Sequence, residues 1–253
     1  MERDDTPVKA TKITFEIIDL LRQWDGAGVS EIANYLEKPT STVHDHLQTL
    51  ESEEYLINDN GVYRIGARFL ELGEQARSRM KVYHLARPEV DNLAEETGNH
   101  SNFMIEEHGR GIFMYKAKGE NAVRLDTRVG MRVYLQTTAL GKTILAHRPT
   151  EEVENIVERH GLPAITENTI TDRDQLFAEL AQIKERGYAI DDEERVQGMR
   201  CIAAPIIDEE GEAVAAVSVS GPKNRFQGEY LETTVPNLVL ESSNVIEVNL
   251  TYT

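Results

Sequence analysis

Three groups of residues in this 253-residue chain have types and spacing that could do chemistry. The first is a polar run, Lys38, Thr40, Ser41, Thr42, His44 and His46, answered further on by Arg64. Cations, hydroxyls and imidazoles in that mixture suit hydrogen bonds to phosphate oxygens and base edges. His44 and His46 do not make a metal pair, because positions i and i+2 of a helix do not share a face. The second group is Gly141-Lys142-Thr143, which has the ending of a nucleotide-binding loop. That loop needs a glycine five residues earlier, where Gln136 stands, so triphosphate binding is rejected. What survives is Thr137-Thr138 ahead of the apolar-periodic run Ala139 to Ala146, a helix start whose amide hydrogens suit an anion.

The third group is Cys201, Ser218 and Ser220. Strands over Met199 to Ile207 and Glu212 to Val219 flank the turn Asp208-Glu209-Glu210-Gly211. Setting Ile207 against Glu212 puts Cys201 opposite Ser218, with Ser220 on the same side. A lone cysteine in such a strand is a small core residue, a ligand contact, or a reactive thiol serving an enzyme or a redox sensor.

The elements that position these groups follow from periodicity. Ile13, Ile17, Leu20 and Leu21 mark a helix from about Thr11 to Trp24, and Asp25-Gly26-Ala27-Gly28 ends it. Val29, Ile32, Ala33 and Leu36 mark a second helix, with Ser30 expected to cap it. After Lys38-Pro39, Thr40 or Ser41 is expected to cap a third helix burying Val43, Leu47 and Leu50. Two β-rich segments, Tyr55 to Ile57 and Val62 to Ile65, join through Asn60-Gly61, a strong hairpin signal. Three helices and a hairpin make a winged helix-turn-helix, whose third helix enters the major groove.

A connecting helix is expected from Arg68 to Met80. Beyond it come a helix over Val82 to Thr97, strands over Ser101 to Glu106, Gly111 to Lys116 and Ala122 to Asp126, helices from Ala139 and Asp172, and the Cys201 hairpin. A final helix carries Leu231, Val235, Leu238, Ser242 and Val245 on one face, with Pro236 expected to kink or interrupt it. The fold class is α+β with a mainly antiparallel sheet. The domains expected are a winged helix over 1–66, a linker helix over 67–80 and a second domain over 81–253.

Composition narrows the function. With 27 Lys and Arg against 44 Asp and Glu, the net charge of -17 argues against a generic basic nucleic-acid coat. The acid is spread along the whole chain, which points to a salt-rich cytoplasm. There the screening length falls to about 3 Å in molar salt, and short hydrogen bonds to DNA survive. One cysteine excludes an internal disulfide and a multi-cysteine zinc site. No apolar run approaches the roughly 20 residues of a membrane span, so a cytoplasmic protein is expected.

The chain resembles the IclR family of bacterial and archaeal transcription regulators from roughly Thr11 to its carboxyl end. The resemblance rests on Ser41-Thr42-Val43-His44, Leu47-Gln48-Thr49-Leu50, Thr138-Ala139-Leu140-Gly141-Lys142, Leu145-Ala146, Tyr188 to Glu194, Gly198 to Ile206, and Ser218-Val219-Ser220-Gly221-Pro222. It implies a GAF-like effector-binding domain, a homodimer or dimer of dimers, double-stranded promoter DNA as partner, a small organic acid as effector, and no cofactor or catalytic role. Carried over by position, the effector meets the amides of Ala139 and Leu140, together with Asp191, Cys201, Ser218 and Ser220. Gln136, Ala139 and Leu140 depart from the family's usual residues. An anionic Asp191 should repel a carboxylate and accept from a ligand hydroxyl, so a hydroxylated or keto-hydrate acid, such as a sugar-derived one, is expected.

Overall fold

The computed structural model describes residues 8–252, which divide into two compact units between Ala76 and Arg77. In the first unit, α1 (Lys9–Trp24) buries Ile17, Leu20 and Leu21. A two-residue strand β1 (Ala27–Gly28) leads into α2 (Val29–Tyr35) and then α3 (Thr40–Ser52). The third helix buries Val43, Leu47 and Leu50, the stripe expected from its spacing. Neither expected cap is a cap. Glu31 reaches back to accept from the Gly28 amide at 2.8 Å, which starts α2 before Ser30. Pro39 stands at the cap position of α3, so Thr40 and Ser41 are already helical.

The wing is β2 (Leu56–Asp59) and β3 (Val62–Ile65), paired antiparallel with Asp59 opposite Val62. Asn60 and Gly61 both have positive φ, 53° and 88°, the backbone that a two-residue hairpin turn needs and that Asn-Gly supplies cheaply. Strand β3 also pairs with β1, completing a three-stranded sheet. Helix α4 (Arg68–Ser78) follows and buries no residue.

In the second unit a six-stranded antiparallel sheet runs in the order β6-β5-β4-β9-β8-β7. Its members are β4 (His100–Glu107), β5 (Arg110–Lys118), β6 (Arg132–Tyr134), β7 (Ala189–Asp192), β8 (Met199–Ile207) and β9 (Ala213–Pro222). Alternation sends Phe103, Ile105, Ile202, Ala204, Val217 and Val219 to one face, under α5 (Lys81–Thr97) and α9 (Val235–Tyr252). Met104, Ala203 and Ala216 face the other way, towards α6 (Ala139–Ala146) and α8 (Arg173–Arg186). Helix α7 (Thr150–His160), which periodicity did not single out, packs Val153 on that second side. The architecture is α+β, as expected. Asp172 caps α8 by accepting from the Gln175 amide at 2.8 Å.

Three expectations change. Residues 122–126 are not a strand, and β6 takes the sheet edge instead. Side chains hold carbonyls within and on either side of that segment: His100 meets the Val123 oxygen, Arg225 the Asn121 oxygen and Lys116 the Thr127 oxygen. The interruption expected at Pro236 takes the form of a wide π turn at Tyr230–Thr234, after which α9 begins one residue before the proline. The buried stripe of α9 is Val235, Pro236, Val239, Ser242, Ser243 and Ile246, which leaves Val245 exposed.

Gly141, whose phosphate-loop likeness fails at Gln136, has a packing role. A Cβ there would lie 2.2 Å from the Leu135 carbonyl oxygen. Gly141→Ala must push α6 off this turn. It should destabilise the protein by about 1–3 kcal/mol, the usual cost of overpacking, read as a lower thermal midpoint beside a Gly73→Ala control whose midpoint stays or rises, since nothing lies within 4 Å of that helical Cβ.

Candidate functional site

Strand register builds the floor of a pocket. Asp191 lies opposite Cys201, Cys201 opposite Ser220, and Ser220 opposite His100, one row across four strands. The next row is Ala189, Ala203, Ser218 and Asn102. Cys201 thus faces Ser220 rather than Ser218. The loop after Ile207 is one residue longer than expected, and an irregularity between Ile206 and Ile207 adds another. A shift of two keeps every side chain on its face, so the thiol and both hydroxyls still gather on the α6 side. Ser220 Oγ donates to Cys201 Sγ at 2.9 Å, and Asn102 Nδ2 reaches Ser218 Oγ and Ser220 Oγ at 3.3 and 3.4 Å.

Over this floor lies a small cleft with a cavity volume of about 40 Å³. Leu140 and Thr138 form one side. Thr138 caps α6 by accepting from the Gly141 amide at 2.9 Å, and helix geometry leaves the Ala139 and Leu140 amides without intrahelical acceptors. Asp191, Cys201 and Ser220 line the cleft; Ala139 and Ser218 lie beside it, buried. Phe113, Leu125 and Thr127 supply a second wall, Arg195 and Val196 a third. Asn102 followed in principle from alternation along β4, given its pairing with β9. Leu125 was hidden because its segment read as a strand, and Thr127 lies just past the end of that segment. No sequence signal marks Arg195, which stands in an irregular connection.

Asp191 is 8% exposed, and burial with the nearby Glu194 carboxylate pushes its pKa up to about 7. The expectation of a simply anionic Asp191 is therefore corrected: near neutrality it is divided between acceptor and donor forms. Its Oδ1 accepts from the Glu194 amide at 2.7 Å. Burial, reinforced by Asp191, pushes the Cys201 thiol up to about 12. A thiol held that firmly in its neutral form is a poor nucleophile and a poor redox sensor.

Lys142 holds the pocket from behind. Its ammonium is 1% exposed, donates to the Ile190 carbonyl at 2.7 Å and pairs with Glu194 at 2.5 Å. No groups of three or more His, Cys, Asp and Glu arranged to hold a metal occur among the described residues.

In the first unit Thr40, Ser41 and His44 are exposed on α3, with Thr42 and Lys38 half-buried. No side chain caps the first turn of α3, so its amides face outward beside these hydroxyls. His46 turns away: its Nδ1 is 2.8 Å from Thr14 Oγ1 of α1. Arg64 on the wing keeps 42% of its side chain exposed, with Asp59 at 3.9 Å.

Residues 10–59 match the IclR helix-turn-helix domain, and residues 74–247 match the family described as bacterial transcriptional regulator IclR C-terminal. The chain belongs to the IclR family of transcription regulators. It is 34% identical over 239 residues, 93% of this chain and 91% of the relative, to the probable HTH-type transcriptional regulator ArcR of Halobacterium salinarum. It is 28% identical to the transcriptional repressor IclR of Escherichia coli, covering 94% and 87% of the two chains. The Thermotoga maritima IclR crystal structure superposes with a TM-score of 0.79 at 30% identity, over 96% of this chain and 99% of that one. An IclR homologue from Microbacterium hydrocarbonoxydans, complexed with 4-hydroxybenzoate, shares the fold with a TM-score of 0.78 at 23% identity, over 95% and 100% of the chains. Family membership makes this chain a DNA-binding regulator with a carboxyl-terminal effector domain, not an enzyme. Among the described residues no helix is long and apolar enough to cross a membrane.

Asp191 gives a pH test. Its folded pKa of about 7 exceeds the ordinary 3.8, so the folded state loses stability as pH rises from 3.8 towards 7 and stays penalised above it. Asp191→Asn keeps an oxygen for the Glu194 amide and removes the penalty. Thermal midpoints should rise by several degrees at pH 8 and by clearly less at pH 5, since each pKa unit is worth about 1.4 kcal/mol.

Proposed function

We propose that this regulator binds promoter DNA through α3 and the wing, and that a small organic acid in the cleft modulates its operator affinity. The observation that carries the effector half is the single cleft in which Asp191, Cys201 and Ser220 meet the start of α6. On the DNA half, Lys38, Thr40, Ser41, Thr42 and His44 read the major groove and Arg64 reaches the backbone from the wing. His46 serves α3 indirectly by fixing it to α1.

Amide hydrogens and hydroxyls hold the acid's carboxylate, and Asp191 exchanges a hydrogen bond with a ligand hydroxyl in whichever protonation state suits it. Leu140 and Phe113 limit its size. The class includes hydroxylated acids such as the 4-hydroxybenzoate of the Microbacterium homologue. The protein acts in the cytoplasm, as a homodimer or a dimer of dimers, at the high salt its acidity fits.

Helix α4 is the lever. Its first turn is fixed to the winged helix by Phe69 against Tyr55 at 5.1 Å and by Arg68 on the Glu53 carbonyl. Its last turn is fixed to the effector unit by Arg77, 4.9 Å over the Tyr83 ring. A helix with nothing buried between two anchors can shift without losing core. The ligand must favour one arrangement over another, with a coupling of typically about 1–3 kcal/mol.

Genome-wide DNA occupancy of the intact protein, beside a His44→Ala, Arg64→Ala double variant at native salt, tests the DNA half. Discrete promoter peaks lost in the variant are expected. Peaks that persist unchanged would move the reading surface elsewhere on the winged helix, and no peaks in either protein would overturn the proposal.

A further inference from the structure

Two arginines line the cleft, and they are committed very differently. Arg200 is spent: its Nε and Nη2 hold both oxygens of Asp192 at 2.8 and 2.9 Å, and its Nη1 holds the Phe226 carbonyl at 2.7 Å. Arg195 is not. A single nitrogen, Nη2, is shared between the two Asp126 oxygens at 3.2 Å each and the Met131 sulfur at 3.4 Å, and Nη1 donates to Thr127 Oγ1 at 3.1 Å. The pair is unequal in exposure as well, Arg195 at 12% and Asp126 at 62% of their side chains. A nearly buried guanidinium facing an apolar wall, 5.7 Å from the Phe113 ring, is therefore neutralised by a carboxylate standing mostly in water.

Such a pair is easily exchanged. Asp126 loses little by returning to water, since most of its side chain already stands there. It also keeps Lys116, whose charge it feels. A carboxylate entering the cleft would meet Arg195 away from solvent, in the two-pronged geometry that guanidinium offers and the Asp126 contact does not use. Leu140, Thr138 and Arg195 line the same small cleft, which brings the start of α6 and the guanidinium to one site.

We infer that Arg195 is the residue that selects anionic effectors, and that it binds the effector's carboxylate by giving up Asp126. This rests on the organic-acid reading above and adds a consequence to it. Residues 119–131 carry Leu125, Asp126 and Thr127, so the exchange unfastens the wall they form from the connection that carries Arg195.

The test is calorimetric titration of the full chain with glycolate, glyoxylate, gluconate and 4-hydroxybenzoate, beside the neutral amides glycolamide and 4-hydroxybenzamide. For the tightest acid, Arg195→Gln should weaken binding by about tenfold or more, the value of a charge-assisted hydrogen bond. Arg195→Lys should recover part of that. Asp126→Asn should tighten binding by about twofold or more, because the competitor is gone, and this variant keeps the inference testable if Arg195→Gln folds poorly. Hydrogen exchange in residues 119–131 should quicken in both variants. Equal acid affinity in wild type and folded Arg195→Gln, or weaker binding in Asp126→Asn, overturns the inference while leaving the organic-acid reading intact. No binding by any of the acids, or amides binding as tightly as acids, overturns both.

Discussion

A lysine ammonium buried to 1% exposure is the constraint from which the effector unit is built. Removing such a charge from water costs several kcal/mol unless partners surround it. Lys142 on α6 finds the Glu194 carboxylate and the Ile190 carbonyl, both on the chain that forms β7 and its following turn. Glu194 in turn donates its amide to Asp191. One buried cation therefore fixes the helix that offers amide donors against the strand that offers a carboxyl. Gly141, one residue earlier, permits the close seat of that helix on the Leu135 turn.

The same network sets the chemistry of the cleft. Glu194 lies near Asp191, and their mutual repulsion adds to burial in keeping a proton on Asp191 towards neutrality. Asp191 faces Cys201 in turn and helps keep the thiol protonated. The cleft thus offers a protonated thiol, hydroxyls and a carboxyl group near half-ionisation, with cations beside them. Such a surface suits the small polar acid proposed as effector, and it lacks the activated nucleophile an enzyme would need.

Much of this was legible in the chain. Asn60-Gly61 specified its hairpin because two consecutive positive φ angles leave few other choices. The stripe Val43, Leu47 and Leu50 specified α3. Alternation grouped Cys201, Ser218 and Ser220 correctly even though the register was off by two, since parity survives an even slip. What failed depended on contacts distant in sequence. Residues 122–126 have strand composition, yet His100 meets the Val123 carbonyl, and Arg225 and Lys116 hold the flanking carbonyls of Asn121 and Thr127. His46 looks like a free polar residue until Thr14 of another helix meets it. Gly28 takes the cap position instead of Ser30 because α2 already starts at Val29, with Glu31 accepting from the Gly28 amide. Arg195 had no local pattern, because its value comes from the wall it faces.

The central claim is that occupancy of this cleft changes the grip of α3 on DNA. The direct measurement is operator affinity, by fluorescence anisotropy at native salt, with and without a bound acid, for wild type and for a Cys201→Leu variant whose larger side chain fills the cleft floor. The account predicts a shift of about 5–150-fold on adding the acid to wild type. It predicts little or none in the filled variant, with both proteins binding operator in the acid's absence. An acid that binds the protein yet leaves wild-type operator affinity unchanged would contradict it, as would an equal shift in the filled variant.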